Sequence, residues 1–514
     1  MNRLLFPLLL LSSVLLLSTT APWTGEQAWQ SVPFTPDIPR TWDSAALADF
    51  DLPLATPKAS PIQVSPAYYY QLPERVIYKS YPVYAPGREP KGYWEWLHQQ
   101  EPEIIFDPGK LKTEADWIKA GELVFDAPVD TVGNVITMGE VRGKELYELN
   151  KTPLTAEGIM PFTRYVVPKK GLVVLGSFAC AMCHTRVMPD GSMLKGAQTN
   201  FPDSRRTAFA FRNPAVPERA AQGLVSSLMA APWLPNDPHT ALSKQSKETI
   251  AAAIAAMPPG VNLREGAGIL YPPQVPSLIG IKDQKFLDHT GVNQHRSIGD
   301  LMRYAALNQA MDMLASYDGF IPGANDGKTL PAPGKAQAVG TADRYSDAQL
   351  YALAKFVYAL KPPPNPNRPN PLTKRGELVF AEQGCVTCHT PPLFTNNMLT
   401  PVDGFTIPEA HHTKYPIFDV SVGTNPDYAL KTRRGTGYYK VPSLRGIWYR
   451  SPFMHDGSLA TVDDVFDPRR LRDDYVPTGF KRADVKTQAV RGHEFGMELP
   501  AKDRQALTAY LKTL

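Results

Sequence analysis

Four cysteines in 514 residues stand at only two places, and both places read C-x-x-C-H. "GSFACAMCHT" carries Cys180, Cys183 and His184, and "AEQGCVTCHT" carries Cys385, Cys388 and His389. Zinc ribbons bring two cysteine pairs together within roughly 15–20 residues, and the two pairs here are far outside that spacing. Thioredoxin-like pairs or disulfides do not require a histidine beside the second cysteine, still less twice. Covalent haem does require it. Cysteines three apart on one helical turn reach two vinyl groups of one ring, and the next residue then aims a neutral imidazole at the iron. The pattern therefore predicts two c-type haems, with thioethers at Cys180, Cys183, Cys385 and Cys388 and proximal ligands at His184 and His389.

The surroundings of the two motifs repeat. "GLVVLGSFACAMCHT" (171–185) aligns without gaps on "GELVFAEQGCVTCHT" (376–390), which predicts the same lead-in to each haem segment. "VPSLIGIKDQKFLDHTG" (275–291) aligns on "VPSLRGIWYRSPFMHDG" (441–457) and sets His289 opposite His455. Ser297 and Thr461 then stand as candidate N-caps of similar helix starts. "ALAKFVYAL" (352–360) matches "ALTAYLKTL" (506–514) along one apolar helix face, and Ser346 with Gln349 has the spacing of a capping box. The expected fold is mainly α, with two cytochrome c-like haem domains arising from an internal repeat, at 111–361 and 372–514.

Proline, at 51 residues, is about twice as frequent as in an ordinary globular chain, and it clusters. "KPPPNPNRPNP" (361–371) reads as a stiff linker, with 362–371 as the boundary between the domains. Residues 22–110 mix Pro with Tyr and Trp and read as an arm packed on the body, since disorder would call for fewer aromatics. At the N-terminus, "MNRLLFPLLLLSSVLLLSTTA" (1–21) has the form of a secretory signal, too short for a spanning helix of ~20 apolar residues. The expected location is periplasmic or secreted, with no membrane span after signal removal. A net charge of +4 and scattered basic residues give no case for nucleic acid. The Arg pairs at 205–206, 433–434 and 469–470 read as solvated surface or as partners of haem propionates. No Gly-rich nucleotide loop, serine-hydrolase elbow or H-E-x-x-H occurs.

The order C-x-x-C-H, "VPSLRGIWYRSPFMHDGSLATVDDVF" and a terminal amphipathic helix resembles the bacterial di-haem cytochrome c peroxidase superfamily. That superfamily includes the methylamine dehydrogenase maturation enzyme and the haem-dependent rubber oxygenases. The resemblance covers roughly 111–514. It implies peroxide or O2 activation at a first haem and electron relay through a second, with a non-catalytic di-haem electron-transfer protein as the alternative. Small redox proteins, a cytochrome c or a cupredoxin, or a small or apolar substrate are the implied partners. Calcium between the domains is known in relatives, and no clustered oxygen-ligand motif supports it here.

The sixth ligands separate the two sites. The methionine that peroxidase relatives place after "HDG" falls on Arg469. "GHEFG" resembles the ligand-bearing segment of the rubber-oxygenase branch, which implies His493 as the second haem's ligand, with Met454 or Met497 as alternatives. His455 is read as structural. At the first haem, the peroxidases' "WDGR" is replaced by "LDHTG" (287–291). Their Gln position falls on Tyr304 and their Glu position near Leu314, or on Asp312 with a small gap. His289, His295 and Tyr304 are the candidate catalytic residues, as distal ligand or proton shuttle. Asn308 and Gln309 lie on the same helical spacing, and structural roles stay open for all of them.

Overall fold

The computed structural model describes residues 34–129, 137–176, 178–263, 266, 268–335 and 340–514. The signal segment at 1–21 lies outside them. Among the described residues no helix is long and apolar enough to cross a membrane. The fold is mainly helical with few strands. The helices that position the candidate site are α1 (Glu114–Asp126), α2 (Cys180–His184), α3 (Ile298–Asn308), α4 (Asp347–Ala359), α5 (Pro371–Glu382) and α6 (Ala501–Leu511).

Two of these helices cross two others in the same way. In α1 the buried residues Trp117, Ala120, Gly121, Val124 and Phe125 recur at helical spacing, and a Thr113–Asp116 capping box closes the N-terminus. That stripe lies on α4, which starts from the Ser346–Gln349 capping box. The crossing is close because Gly121 has no side chain: a methyl there would sit 1.9 Å from the Ala352 carbonyl oxygen. In the second half Pro371 opens α5 behind Asn370, which accepts from the Leu372 and Thr373 amides. α5 packs on α6, and a methyl on Gly376 would sit 2.0 Å from the Ala506 carbonyl oxygen. Around each crossing lies an apolar core, including Phe125, Leu301, Leu353 and Val357 in the first and Val379, Phe380, Leu507 and Leu511 in the second. Burying each such side chain contributes about 1.5–3 kcal/mol.

Arm and body share one core. Trp42 stacks on Tyr69 at 4.6 Å, donates Nε1–H to the Val64 carbonyl at 2.8 Å, and belongs to the apolar cluster built around α1 and α4. An antiparallel sheet in the order β1 (Ser80–Tyr84), β2 (Ile159–Lys169), β3 (Leu172–Gly176) joins arm to body, with Ser80 opposite Val166 and Arg164 opposite Gly176. The linker is extended, and both Asn365 and Asn367 donate side-chain amides to the Lys512 carbonyl at the end of α6.

Two expectations are corrected. The lead-ins to the haem segments differ: Leu172–Gly176 is a strand, whereas Gly376–Glu382 belongs to helix α5. The structural counterpart of α5 is α1, and the pentapeptide GELVF stands at 121–125 and again at 376–380. Residues 127–179, with the β2–β3 hairpin, intervene in the first half. Ser297 makes no side-chain cap; instead the Asp300 carboxylate reaches back to the Arg296 amide at 2.7 Å. Thr461 does cap its helix, in a box with Asp464.

Candidate haem-binding sites

In the first half, strand β3 delivers the chain to α2, one helical turn that sets Cys180, Cys183 and His184 on a cavity. Its other walls come from the "PPQVPSL" segment (272–278), from Leu301, Tyr304, Asn308 and Gln309 of α3, and from Leu353 and Val357 of α4. Asn262 donates to Cys183 Sγ at 3.1 Å and Gln309 to Cys180 Sγ at 3.7 Å. Burial pushes the Cys180 thiol up to about 12 and the Cys385 thiol up to about 11. Thiols raised in this way stay protonated, which argues against thiolate redox chemistry at Cys180 and Cys385. Among the described residues no group of three or more His, Cys, Asp or Glu side chains is placed to hold a metal ion.

In the second half, Gly384 in the left-handed region (φ 71°) turns the end of α5 into a single 3₁₀ turn at Cys385–Thr387. His389 Nδ1 faces the Phe394 carbonyl at 3.2 Å, which leaves Nε2 for another partner. The ring across from it is His493, with centroids 6.2 Å apart and planes at 61°. A metal–imidazole bond of about 2.0 Å on each side of one iron sets two ring centroids about 6 Å apart. Burial lowers the basicity of both rings, His493 to about 4, so both are neutral and able to donate a lone pair. His493 Nδ1 is buried without a hydrogen-bond partner. The two C-x-x-C-H segments, the cavity and this ring spacing fit two c-type haems.

His493 is held from behind. Arg470, fully buried, donates to the carbonyls of Val465, Val490, Gly492 and His493. The His493 amide bonds the Val422 carbonyl at 2.6 Å, and Gly492 lies so close to Gly423 that a methyl would meet its carbonyl carbon at 2.3 Å. Met454, the alternative ligand, lies on the segment of His455 with φ 66°, and its repeat counterpart Asp288 has φ 68°.

Of the candidate catalytic residues, the structure brings Tyr304 to the first cavity and neither histidine. His295 uses Nδ1 on the Gln284 carbonyl and Nε2 on the Tyr358 hydroxyl, at 2.7 and 2.6 Å. His289 turns Nε2 to the Gln274 carbonyl at 2.5 Å, and burial lowers its pKa to about 4. It lines a smaller pocket between the two halves. His455 packs on Tyr439 at 4.8 Å.

Sequence reading missed two residues of the first cavity wall. Asp288 accepts from the Tyr428 hydroxyl at 3.0 Å and from Arg434 at 3.2 Å, and Lys440 comes from the other half. Their signal was their register in the repeat, one before His289 and one before "VPSL". The Arg pairs divide: Arg469 is exposed, whereas Arg206, Arg433, Arg434 and Arg470 are buried and are not solvated surface. A guanidinium with five donors can satisfy several carbonyl and carboxylate oxygens at once, as Arg433 does on Ala230 and Arg434 on Asp312.

No family model matches the chain. Cytochrome-c peroxidase IdrP1 of Denitromonas iodatirespirans is 28% identical over 113 residues, 18% of this chain and 29% of that protein. Its namesake from a Pseudomonas species is 26% identical over 159 residues, 27% of this chain and 39% of that protein. The methylamine utilization protein MauG of Methylorubrum extorquens is 28% identical over 142 residues, 27% of this chain and 34% of that protein. The relationship is to the di-haem cytochrome c peroxidase superfamily. The chain spans 29 to 39% of the length of these curated relatives. Among solved structures, the diheme peroxidase BthA of Burkholderia thailandensis superposes with a TM-score of 0.29 at 15% identity, over 86% of this chain and 93% of that one. A MauG-like protein associated with microbial copper homeostasis gives 0.30 at 18%, over 50% and 78%. Neither superposition is close enough to transfer a residue role from the superfamily.

Proposed function

We propose that the protein is an exported di-haem c-type oxidoreductase that activates peroxide or O2 at the haem of His184 and relays electrons through the haem of His389. In this reading it comprises an N-terminal arm and two haem domains, at 111–361 and 372–514, on either side of the 362–371 linker. The observation that carries it is the asymmetry between the sites. A second imidazole stands across from His389 at the spacing of an iron, whereas the described residues lining the first cavity include no histidine or methionine outside the haem segment itself. When bound, a haem supplies an iron that takes a small oxidant where its sixth position is open and transfers electrons where it is filled.

This chain's own residues would divide the remaining work. Cys180, Cys183, Cys385 and Cys388 attach the rings, and His184, His389 and His493 hold the irons. Tyr304, Asn308 and Gln309 present hydroxyl and amide groups to the first cavity. Asp288, kept in place by Arg434 and Tyr428, is a carboxylate at the same wall where a proton can be held. The apolar side chains of Leu301, Leu353 and Val357 exclude water from the ring. A small redox protein would deliver or accept electrons at the second site.

Low-temperature EPR of the ferric protein tests the reading. One high-spin and one low-spin signal are expected, together with peroxide-dependent oxidation of a reduced cytochrome c or O2 uptake with an unsaturated substrate. Two low-spin signals and turnover no faster than free haem peptide would leave the electron-transfer reading in its place. Intact mass should show two haems and loss of the signal segment.

A further inference from the structure

A small pocket is lined from both halves by the Pro-Ser pairs 276–277 and 442–443, by Thr395 and by Lys440, Arg445 and Arg450. One carboxylate lines it, Asp283, which faces Arg445 at 3.5 Å. Lys440 Nζ donates to Gln284 Oε1 at 2.9 Å and to the Phe286 carbonyl at 3.1 Å, both neutral. Arg450 donates to the Ser443 and Arg445 carbonyls at 2.6 and 3.4 Å. Among the described residues neither side chain forms an ion pair. Enclosure by protein lowers Lys440 to about 8 and Arg450 below its usual value. Both side chains are only partly buried, yet cations enclosed by neutral groups are normally paired, because desolvation of an unpaired charge is unfavourable. Two of them around one pocket point to anions that bind there.

The haems reading supplies such anions. A ring tied through its vinyl groups to Cys180 and Cys183, or to Cys385 and Cys388, carries its two carboxylates on the opposite edge. Lys440 lines the cavity of Cys180 and His184 as well as the pocket between the halves. Arg450 lines only the latter, together with Leu393 and Thr395 of the loop that follows His389.

We propose that Lys440 and Arg450 form a cationic seat for haem carboxylates, Lys440 for the haem of His184 and Arg450 for the haem of His389. The proposal rests on the two-haem reading above. It makes Lys440 a positioning residue that the second half lends to the first haem. A cation beside the ring also favours the reduced state, which carries one positive charge fewer, so these residues raise the reduction potentials.

The test is spectroelectrochemical titration of Lys440→Met, Lys440→Arg, Arg450→Gln and Arg450→Lys, after intact mass has shown two haems in each. At a fixed solution potential, Lys440→Met is expected to lower the reduced-to-oxidised ratio of the first haem by about tenfold or more, equivalent to about 59 mV for one electron. Lys440→Arg should stay within about threefold of the parent on that scale. Arg450→Gln should shift the second haem in the same sense, and Arg450→Lys should restore it. Where the methionine variant does not fold, Lys440→Gln takes its place. A purely structural role would change thermal stability without moving one potential apart from the other. Potentials unmoved in Lys440→Met and Arg450→Gln with both haems attached would overturn the proposal, as would a shift confined to the wrong haem. Absence of haem from the parent protein would instead overturn the two-haem reading.

Discussion

His493 sits in the left-handed region at φ 50°, a strained position for a residue with a Cβ, and Arg470 with the Val422 carbonyl holds it there. Backbone strain upheld by a buried guanidinium is a reason to look for function at that side chain. His493→Ala is expected to turn the second haem from low to high spin in the EPR spectrum while both haems stay attached; an unchanged low-spin signal would transfer the ligand role to Met454 or Met497. His289 makes a pH-dependent contribution. Its folded pKa of about 4 lies below the ordinary 6.5, so the unfolded chain binds the extra proton first as pH falls. The stability it contributes is therefore complete above about pH 6.5 and is lost progressively down to about pH 4, with an upper bound of about 3 kcal/mol. His289→Gln, which keeps a donor for the Gln274 carbonyl, should flatten the fall in melting temperature between pH 7 and 4.5.

The paired helices α1/α4 and α5/α6 show which elements the repeat holds in common. Gly121 faces Ala352 and Phe356 as Gly376 faces Ala506 and Tyr510. An added methyl cannot fit without separating the helices, so Gly121→Ala and Gly376→Ala should each cost about 1–3 kcal/mol, read from denaturant midpoints. Gly376→Ala should disturb the spectrum of the second haem before that of the first, because α5 leads directly into Cys385. The loops after the haem segments match as well. Leu278 and Leu444 donate to the carbonyls of Gly196 and Phe394, and Gly280 and Gly446 open equivalent 3₁₀ turns. The hairpin β2–β3 has no such counterpart in the second half. Its strands were nonetheless visible in "YVVPKKGLVVLG" as β-branched residues on either side of a Gly turn with φ 81°.

At the scale of the whole molecule the two halves exchange hydrogen bonds. Gln274 donates its amide to the His455 carbonyl at 2.7 Å, and Lys440 does the same to the His289 carbonyl at 2.9 Å. Arg434 adds buried ion pairs with Asp288 and Asp312, and Thr436 bonds the Thr290 carbonyl. The linker, mostly exposed, runs outside this interface. Cutting it between 361 and 370 by limited proteolysis should leave the halves co-eluting in native size-exclusion chromatography and separating only in denaturant. Separation under native conditions would contradict an interface of this strength.

By itself the sequence determined the two C-x-x-C-H patterns on which the haem reading rests, because thioether spacing and the adjacent ligand are local and fit within one helical turn. It also determined the terminal helix faces and the Ser346–Gln349 capping box, which depend on residues three or four apart. His493 was named from the resemblance of "GHEFG", and the structure sets its ring across from His389; tertiary structure alone decided that His295 spends both ring nitrogens on Gln284 and Tyr358, and that Lys440 of one half reaches the cavity of the other. Those outcomes depend on contacts between residues from 11 to several hundred apart, beyond the reach of helix or strand periodicity. The GELVF repeat lay between these cases: its letters were in view, and only the shared helix crossing showed that Gly121, rather than Gly171, is the partner of Gly376.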